Sequence, residues 1–273
     1  MCFSDLRFVF SRCRRAGQWF AEIGLFIGAD VGRVIYMEKI RSVDNILALQ
    51  SGEVAIWGAN VLEMMEQIDA LERLLSSEEL MKAERLKDEQ ARRMSVVARG
   101  GLRVLLGAYT KLNPNQVTFE QQVGGKPMLK SDEISFNLAH SGDWVVWAFA
   151  ASGEVGVDLE YIRSNVSYSR VARRYFQPYE QKALAEAGDA LRLFFDIWAA
   201  KEALVKASGK GVFAAMDKVE LPLVEGLVPD ETVVGNWFLR RVEAGSMYAC
   251  SLASNQPILE QPCYDFGGLQ WGD

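Results

Sequence analysis

Asp158 and Glu160 stand two apart in Gly156-Val157-Asp158-Leu159-Glu160, and in a β-strand residues two apart share a face. Val157 and Leu159 then turn the other way, toward a core. Carboxylates held side by side repel unless a cation lies between them. Mg²⁺ is the natural candidate, because it takes oxygen ligands and commonly combines one or two carboxylates with substrate phosphates. Alone, the pattern also fits an edge strand bearing two ordinary surface acids. A second group stands in Trp198-Ala-Ala-Lys201-Glu202-Ala-Leu-Val-Lys206. On a helix, Trp198, Glu202 and Lys206 are spaced by four and share one face. An exposed Glu–Lys pair at that spacing contributes only about 0.3–0.5 kcal/mol. Trp198 beside it argues for partial burial, and burying such a pair is costly unless it serves a partner. A third carboxylate near Asp158 and Glu160, with a lysine beside it, is what a metal–diphosphate site needs.

His140 is the only histidine in the chain, so a histidine-rich metal site is excluded. It sits in Phe136-Asn-Leu-Ala-His140-Ser-Gly142, where a strand gives way to a turn. A lone histidine is commonly structural, but at a strand end it could donate to a phosphate, helped by Lys126 of the Gly125-Lys126-Pro127 turn. From Lys82 to Arg103 seven basic residues face three acidic ones, in a chain of net charge −6. Such a local excess suits a compact anion such as a nucleotide, or simply a solvated helix face; the overall charge argues against a nucleic-acid partner. The cysteines Cys2, Cys13, Cys250 and Cys263 form no C-x-x-C pair, which speaks against zinc and fits a reducing cytoplasm. No apolar run approaches the ~20 residues of a membrane span.

The elements that must position these groups follow from periodicity. A strand is expected at 53–57 and a helix from Val61 to Leu75, with Leu62, Met65, Ile68, Leu71 and Leu75 at helical spacing. Ser76 and Glu79 form a capping-box pattern. A second amphipathic helix is expected over about 91–109, ended by Asn113-Pro114. Short strands at 117–119, 134–136, 144–150 and 155–161 alternate with glycine-rich turns. Helices are expected near 167 and over 178–187, and from an Asp189 cap to a Gly209 stop. Strands close the chain at 218–221, 236–242 and 248–253. The fold class is mixed α+β. Arg12, Arg14 and Arg15 precede an apolar patch from Trp19 to Ile27 that Glu22 interrupts, so residues 1–52 are read as an N-terminal extension rather than an export signal.

Gly125-Lys126-Pro127, F-N-x-x-H-S at 136–141, G-V-D-L-E at 156–160 and W-x-x-K-E-x-x-x-K at 198–206 occur together in this order. Upstream lie Leu75-Ser-Ser-Glu-Glu, Lys82-Ala83-x-Arg85, Arg92-Arg93 and Ala98-Arg99-Gly100-x-Leu102-Arg103. Over about residues 53–255 the chain resembles the surfactin-type (Sfp-type) 4′-phosphopantetheinyl transferases. The resemblance implies a monomer of two similar α+β halves related by a pseudo-twofold, 53–150 and 151–255, with coenzyme A in the cleft between them and 256–273 as a tail. It implies transfer of the phosphopantetheine arm of coenzyme A to a serine of an apo acyl or peptidyl carrier protein. Asp158, Glu160 and Glu202 match the family's Mg²⁺ ligands, Glu202 also its general base, and Lys206 the residue that neutralises phosphate charge. Lys126 and His140 match coenzyme A phosphate contacts, and Lys82, Arg85 and Arg93 lie near further ones. Ala139 departs from the family's N-x-S-H-S, removing one hydroxyl donor. A catalytically weak relative that binds coenzyme A or a carrier is the alternative.

Overall fold

Asp88 and Asp189 each accept a hydrogen bond from a backbone N–H three residues on, and each opens a long helix. These two helices organise the chain. The computed structural model describes residues 38–39, 42–121, 125–131, 134–209 and 216–271. The first elements are β1 (Glu38–Lys39), β2 (Val54–Asn60), α1 (Ile68–Glu72), α2 (Ser77–Glu84) and α3 (Glu89–Thr110). Then come β3 (Phe119–Gln121), β4 (Pro127–Leu129), β5 (Ser135–Ser141), β6 (Trp144–Ala150) and β7 (Val155–Tyr161). Next follow α4 (Tyr168–Tyr175), α5 (Pro178–Glu186) and α6 (Ala190–Ser208), and finally β8 (Glu231–Val234), β9 (Trp237–Val242), β10 (Tyr248–Ser254) and β11 (Cys263–Asp265).

One sheet has the order β1-β11-β2-β6-β5 and the other β7-β10-β9-β8, with β3 and β4 a separate hairpin. The same connection occurs twice. The chain runs β2, α3, β5, β6, and β6 returns beside β2; later it runs β7, α6, β9, β10, and β10 returns beside β7. Both registers start alike, with Val54 opposite Ala150 and Val155 opposite Ser254. The architecture is the expected mixed α+β fold.

Alternation along the strands divides the core. Ala55, Trp57 and Ala59 of β2 pack with Leu102, Leu105 and Leu106 of α3, while Ala199, Ala203 and Ala207 of α6 pack with Ala249 and Ala253 of β10. The opposite strand faces pool into a shared core, where Val54, Ile56 and Val146 join Val157, Leu159 and Leu252. Each long helix also carries a buried cation that holds the capping-box glutamate of a neighbouring helix. Arg103 Nε donates to Glu79 Oε2 at 2.8 Å, and its Nη1 to the carbonyls of Pro114 and Val117. Lys201 Nζ lies 2.8 Å from Glu180 Oε2 and donates to the carbonyls of Tyr175 and Val219. Lys201 and Glu180 are both wholly buried, an arrangement that is tolerable only because every polar atom has a partner.

Several local expectations need correction. Residues 61–67 form a 3-10 turn capped by the Asn60 side chain, and only Ile68–Glu72 is α-helical. No strand forms at 218–221, because the Val219 carbonyl and the Leu221 N–H serve Lys201 and Glu180 instead. The segment after 255, read as a tail, supplies β11, which pairs in parallel with both β1 and β2 and brings Tyr264 and Phe266 into the first core. The arginines and apolar patch near the N-terminus lie outside the described residues. From residue 42 onward, however, the expected extension joins the fold, with Ser42 bridged to Gln270 and Ile46 buried in the first core. No helix among the described residues is long and apolar enough to cross a membrane.

Candidate active site

Gly156 explains why β7 and α6 can lie so close. A Cβ at this position would stand 2.2 Å from the Ala203 carbonyl oxygen and 2.4 Å from the Ala207 nitrogen, both backbone atoms of α6. Only hydrogen fits there. The same strand face then carries Asp158 and Glu160 toward the helix face that carries Trp198, Glu202 and Lys206. One carboxylate oxygen from each of Asp158, Glu160 and Glu202 lies within 4.8 Å of the other two. Lys206 Nζ donates to Asp158 Oδ1 at 2.5 Å and lies 3.6 Å from Glu202 Oε2.

Neighbouring side chains hold the acids in place. Trp198 Nε1 donates to Glu160 Oε1 at 3.1 Å, and Ser141 Oγ donates to Glu160 Oε2 at 3.2 Å. Ser141 Oγ also accepts from the Tyr161 N–H, while Asn137 Oδ1 accepts from the Val157 N–H. These two side chains of β5 join the edge strands of the sheets where no backbone ladder connects them. The motif at 136–141 therefore aligns β7 as well as presenting His140.

The electrostatics are those of a site short of positive charge. Asp158 is only 2% exposed, and its Oδ2 is buried with no hydrogen-bond partner. Burial, followed by the charge on Asp158, raises the Glu160 carboxyl to about 7 and the Glu202 carboxyl to about 8. Burial alone would lower Lys206, but the carboxylates of Asp158, Glu202 and Glu160 outweigh it and hold the ammonium above its ordinary value. Three oxygen donors, one with an orphaned buried atom, fit a hard divalent cation, whose charge would let all three ionise together.

The other expected contacts separate into two groups. His140 is exposed at the end of β5, and partial desolvation together with Lys206 and Arg99 lowers its pKa, against the pull of Asp158. It thus belongs to the neighbourhood of the acids. Arg99 of α3, half-buried and without an ion pair among the described residues, comes with it. Arg99 lay in the basic stretch of the sequence, yet nothing local distinguished it from its neighbours. Lys126 is turned inward, its side chain 8% exposed. Its ammonium donates to Glu154 Oε2 at 2.8 Å, to the Val155 carbonyl at 2.9 Å and to the Ala207 carbonyl at 3.4 Å. It ties the turn before β4 to β7 and to the end of α6, and presents no free donor. Lys82 pairs with Glu78 on α2, Arg93 with Glu89 on α3, and Arg85 caps α2; no described contact brings these three to the carboxylates. Ala139 is buried with apolar side chains of the shared core.

Residues 154–253 match the model of the 4′-phosphopantetheinyl transferase superfamily, and residues 63–152 match that of the 4′-phosphopantetheinyl transferase N-terminal region. The 4′-phosphopantetheinyl transferase HetI of Nostoc sp. is 35% identical over 183 residues, covering 65% of this chain and 77% of HetI. The transferase psf-1 of Bacillus pumilus is 34% identical over 152 residues, 54% of this chain and 63% of psf-1. Sfp of Bacillus subtilis is 28% identical over 125 residues, 45% of this chain and 54% of Sfp. The chain belongs to the 4′-phosphopantetheinyl transferase superfamily.

Proposed function

We propose that this enzyme transfers the 4′-phosphopantetheine group of coenzyme A to a serine of an apo carrier protein, with Asp158, Glu160 and Glu202 holding Mg²⁺. The observation that carries this reading is the meeting of those three carboxylates, drawn from β7 and α6, with one oxygen of each within 4.8 Å of the others. A divalent cation there would draw charge from the diphosphate oxygens and lower the pKa of Glu202. Glu202 is assigned the proton of the serine hydroxyl, directly or through water. The serine oxygen bonds to the phosphorus nearest pantetheine, the bond from that phosphorus to the bridging oxygen breaks, and adenosine 3′,5′-bisphosphate leaves with that oxygen. Lys206 neutralises charge on the departing phosphate. Alignment and charge neutralisation are the protein's main contribution to such a transfer.

His140 and Arg99 are proposed as contacts for the outer phosphates of coenzyme A, supported by their nearness to Lys206 and Asp158. Lys82, Arg85 and Arg93 are proposed for the adenosine end on charge alone. Lys126 could contact a phosphate only by leaving Glu154. The order of the motifs supports the narrower surfactin-type reading. Two like halves within one chain support action as a monomer, and the unpatterned cysteines support a cytoplasmic setting.

Incubation with coenzyme A, Mg²⁺ and an apo carrier should raise the carrier's mass by one phosphopantetheine. Glu202→Gln should slow this by about 10²–10⁴-fold, the usual contribution of a positioned base. Absence of any mass change across acyl and peptidyl carriers would refute the assignment.

A further inference from the structure

β7 lies at the edge of its sheet, and its backbone groups point alternately toward β10 and away from it. Just beyond its two ends, the Glu154 carbonyl accepts from the Asn255 N–H and the Ile162 N–H donates to the Met247 carbonyl. The even-numbered residues between them therefore face β10, and the odd-numbered N–H groups face β5. Val157 N–H donates to Asn137 Oδ1 at 2.9 Å, and Tyr161 N–H donates to Ser141 Oγ at 2.9 Å. Both pairs are twenty residues apart in sequence, an offset that sets residue 139 opposite Leu159. Residue 139 is alanine, and the Leu159 N–H has no acceptor among the described residues. Leu159 is only 2% exposed, so this donor is also kept from water, where an unmade hydrogen bond is costly.

The unpaired donor stands between two of the candidate metal ligands. Leu159 separates Asp158 from Glu160, so any shift of its peptide moves both carboxylates. Ser141 shows what a hydroxyl does in this row: its Oγ accepts from the Tyr161 N–H and donates to Glu160 Oε2 at 3.2 Å. Strand geometry repeats every two residues. A hydroxyl at position 139 would therefore meet the Leu159 N–H and stand beside Asp158, whose Oδ2 is buried without a partner. A carboxylate oxygen has two lone pairs, so accepting that hydrogen bond leaves room for a metal bond.

We propose that Asn137, residue 139 and Ser141 form a row of positioning residues that sets where β7 holds Asp158 and Glu160, and that Ala139 leaves its middle rung open, keeping affinity for a divalent cation below what the scaffold allows. This deepens the transferase reading and rests on its metal site.

The test is Ala139→Ser, with Ala139→Cys as a control of similar volume whose thiol is a weak acceptor. Among the apolar side chains around Ala139, a buried hydroxyl costs stability unless it finds a partner. With the Leu159 donor there to meet it, Tm in chelator should instead rise by about 2–4 °C. Amide exchange at Leu159, followed by NMR, should slow about two- to tenfold, the worth of one net hydrogen bond. Mg²⁺ should bind about two- to tenfold more tightly by calorimetry, and the Mg²⁺ concentration for half-maximal transfer should fall by a similar factor. The cysteine variant should show none of these gains. A lower Tm, unchanged exchange at Leu159, a Mg²⁺ affinity equal to that of wild type, or equal gains in both variants would overturn the proposal. If Mg²⁺ binds neither wild type nor Ala139→Ser, yet exchange slows and Tm rises, the metal-dependent transferase reading fails while the rung itself is upheld.

Discussion

The two halves share a connection order but use equivalent positions for opposite ends. Matching Val54 with Val155 places Ala55, Trp57 and Ala59 where the second half has Gly156, Asp158 and Glu160. Matching Arg103 with Lys201, the two buried cations, places Val104 and Ala108 where the second half has Glu202 and Lys206. In the first half these positions fill a core, and Trp57 settles its one polar atom by donating to Tyr109 Oη at 2.9 Å. In the second half they hold two carboxylates raised to about 7 and 8, an ammonium, and an oxygen with no partner. A scaffold of one kind can serve either as packing or as a charged site. The second use leaves a deficit that a bound cation and substrate must make good.

The largest expected effect tests the shared part of the scaffold. Lys201→Ala should destabilise by about 3–5 kcal/mol in chemical denaturation, because it strands Glu180 in a fully buried setting. Arg103→Ala should cost less, since the side chain of Glu79 keeps 13% of its surface in water. Equal costs would break the contrast between the halves. Next comes the close approach of strand and helix. Gly156→Ala should lose about 1–3 kcal/mol and most transfer activity, because the methyl meets backbone rather than a yielding side chain. At the matching position, Ala55→Gly should lose only about 0.5–1 kcal/mol.

The pH dependence of stability sharpens the comparison further. Glu160 and Glu202 hold protons more tightly in the folded chain, at about 7 and 8, than at the ordinary 4.5. The folded state therefore carries more protons between those values. Without divalent cation, this contribution to stability is fully present below about 4.5 and is lost as pH rises through 7 and 8. Calorimetric Tm values in chelator should fall over that window, and Mg²⁺ should restore them by binding only the folded form. A Tm that ignores Mg²⁺ at alkaline pH would contradict this. The smallest effect belongs to Ser141→Ala, which removes a donor to Glu160 and the acceptor of the Tyr161 N–H. Metal affinity by titration should weaken about tenfold, at the low end for groups that orient ligands.

What could be read from the chain was whatever depends on local spacing. The period of two that joins Asp158 to Glu160, the period of four that joins Trp198, Glu202 and Lys206, the Ser76–Glu79 cap and the Asp189 and Gly209 helix limits are all short-range patterns. Glycine in Gly156-Val-Asp-Leu-Glu belonged to the motif, but its reason is α6, forty-seven residues away at Ala203. Asn137 and Ser141 bond to a strand twenty residues on, so their work in joining the sheets leaves no local trace. β11 pairs in parallel with a strand two hundred residues earlier, a contact no window can register. Lys126 appeared free because its partner Glu154 lies in another turn. The expected strand at 218–221 failed because its backbone is engaged by the buried Lys201–Glu180 pair.

Calorimetric titration of Mn²⁺ or Mg²⁺ into the enzyme, with and without coenzyme A, tests the central claim most directly. One divalent ion per chain should bind to wild type, and the heat should vanish in Asp158→Asn and Glu202→Gln while both variants remain folded by circular dichroism. Undiminished binding in either folded variant would show that the three carboxylates do not form the metal site.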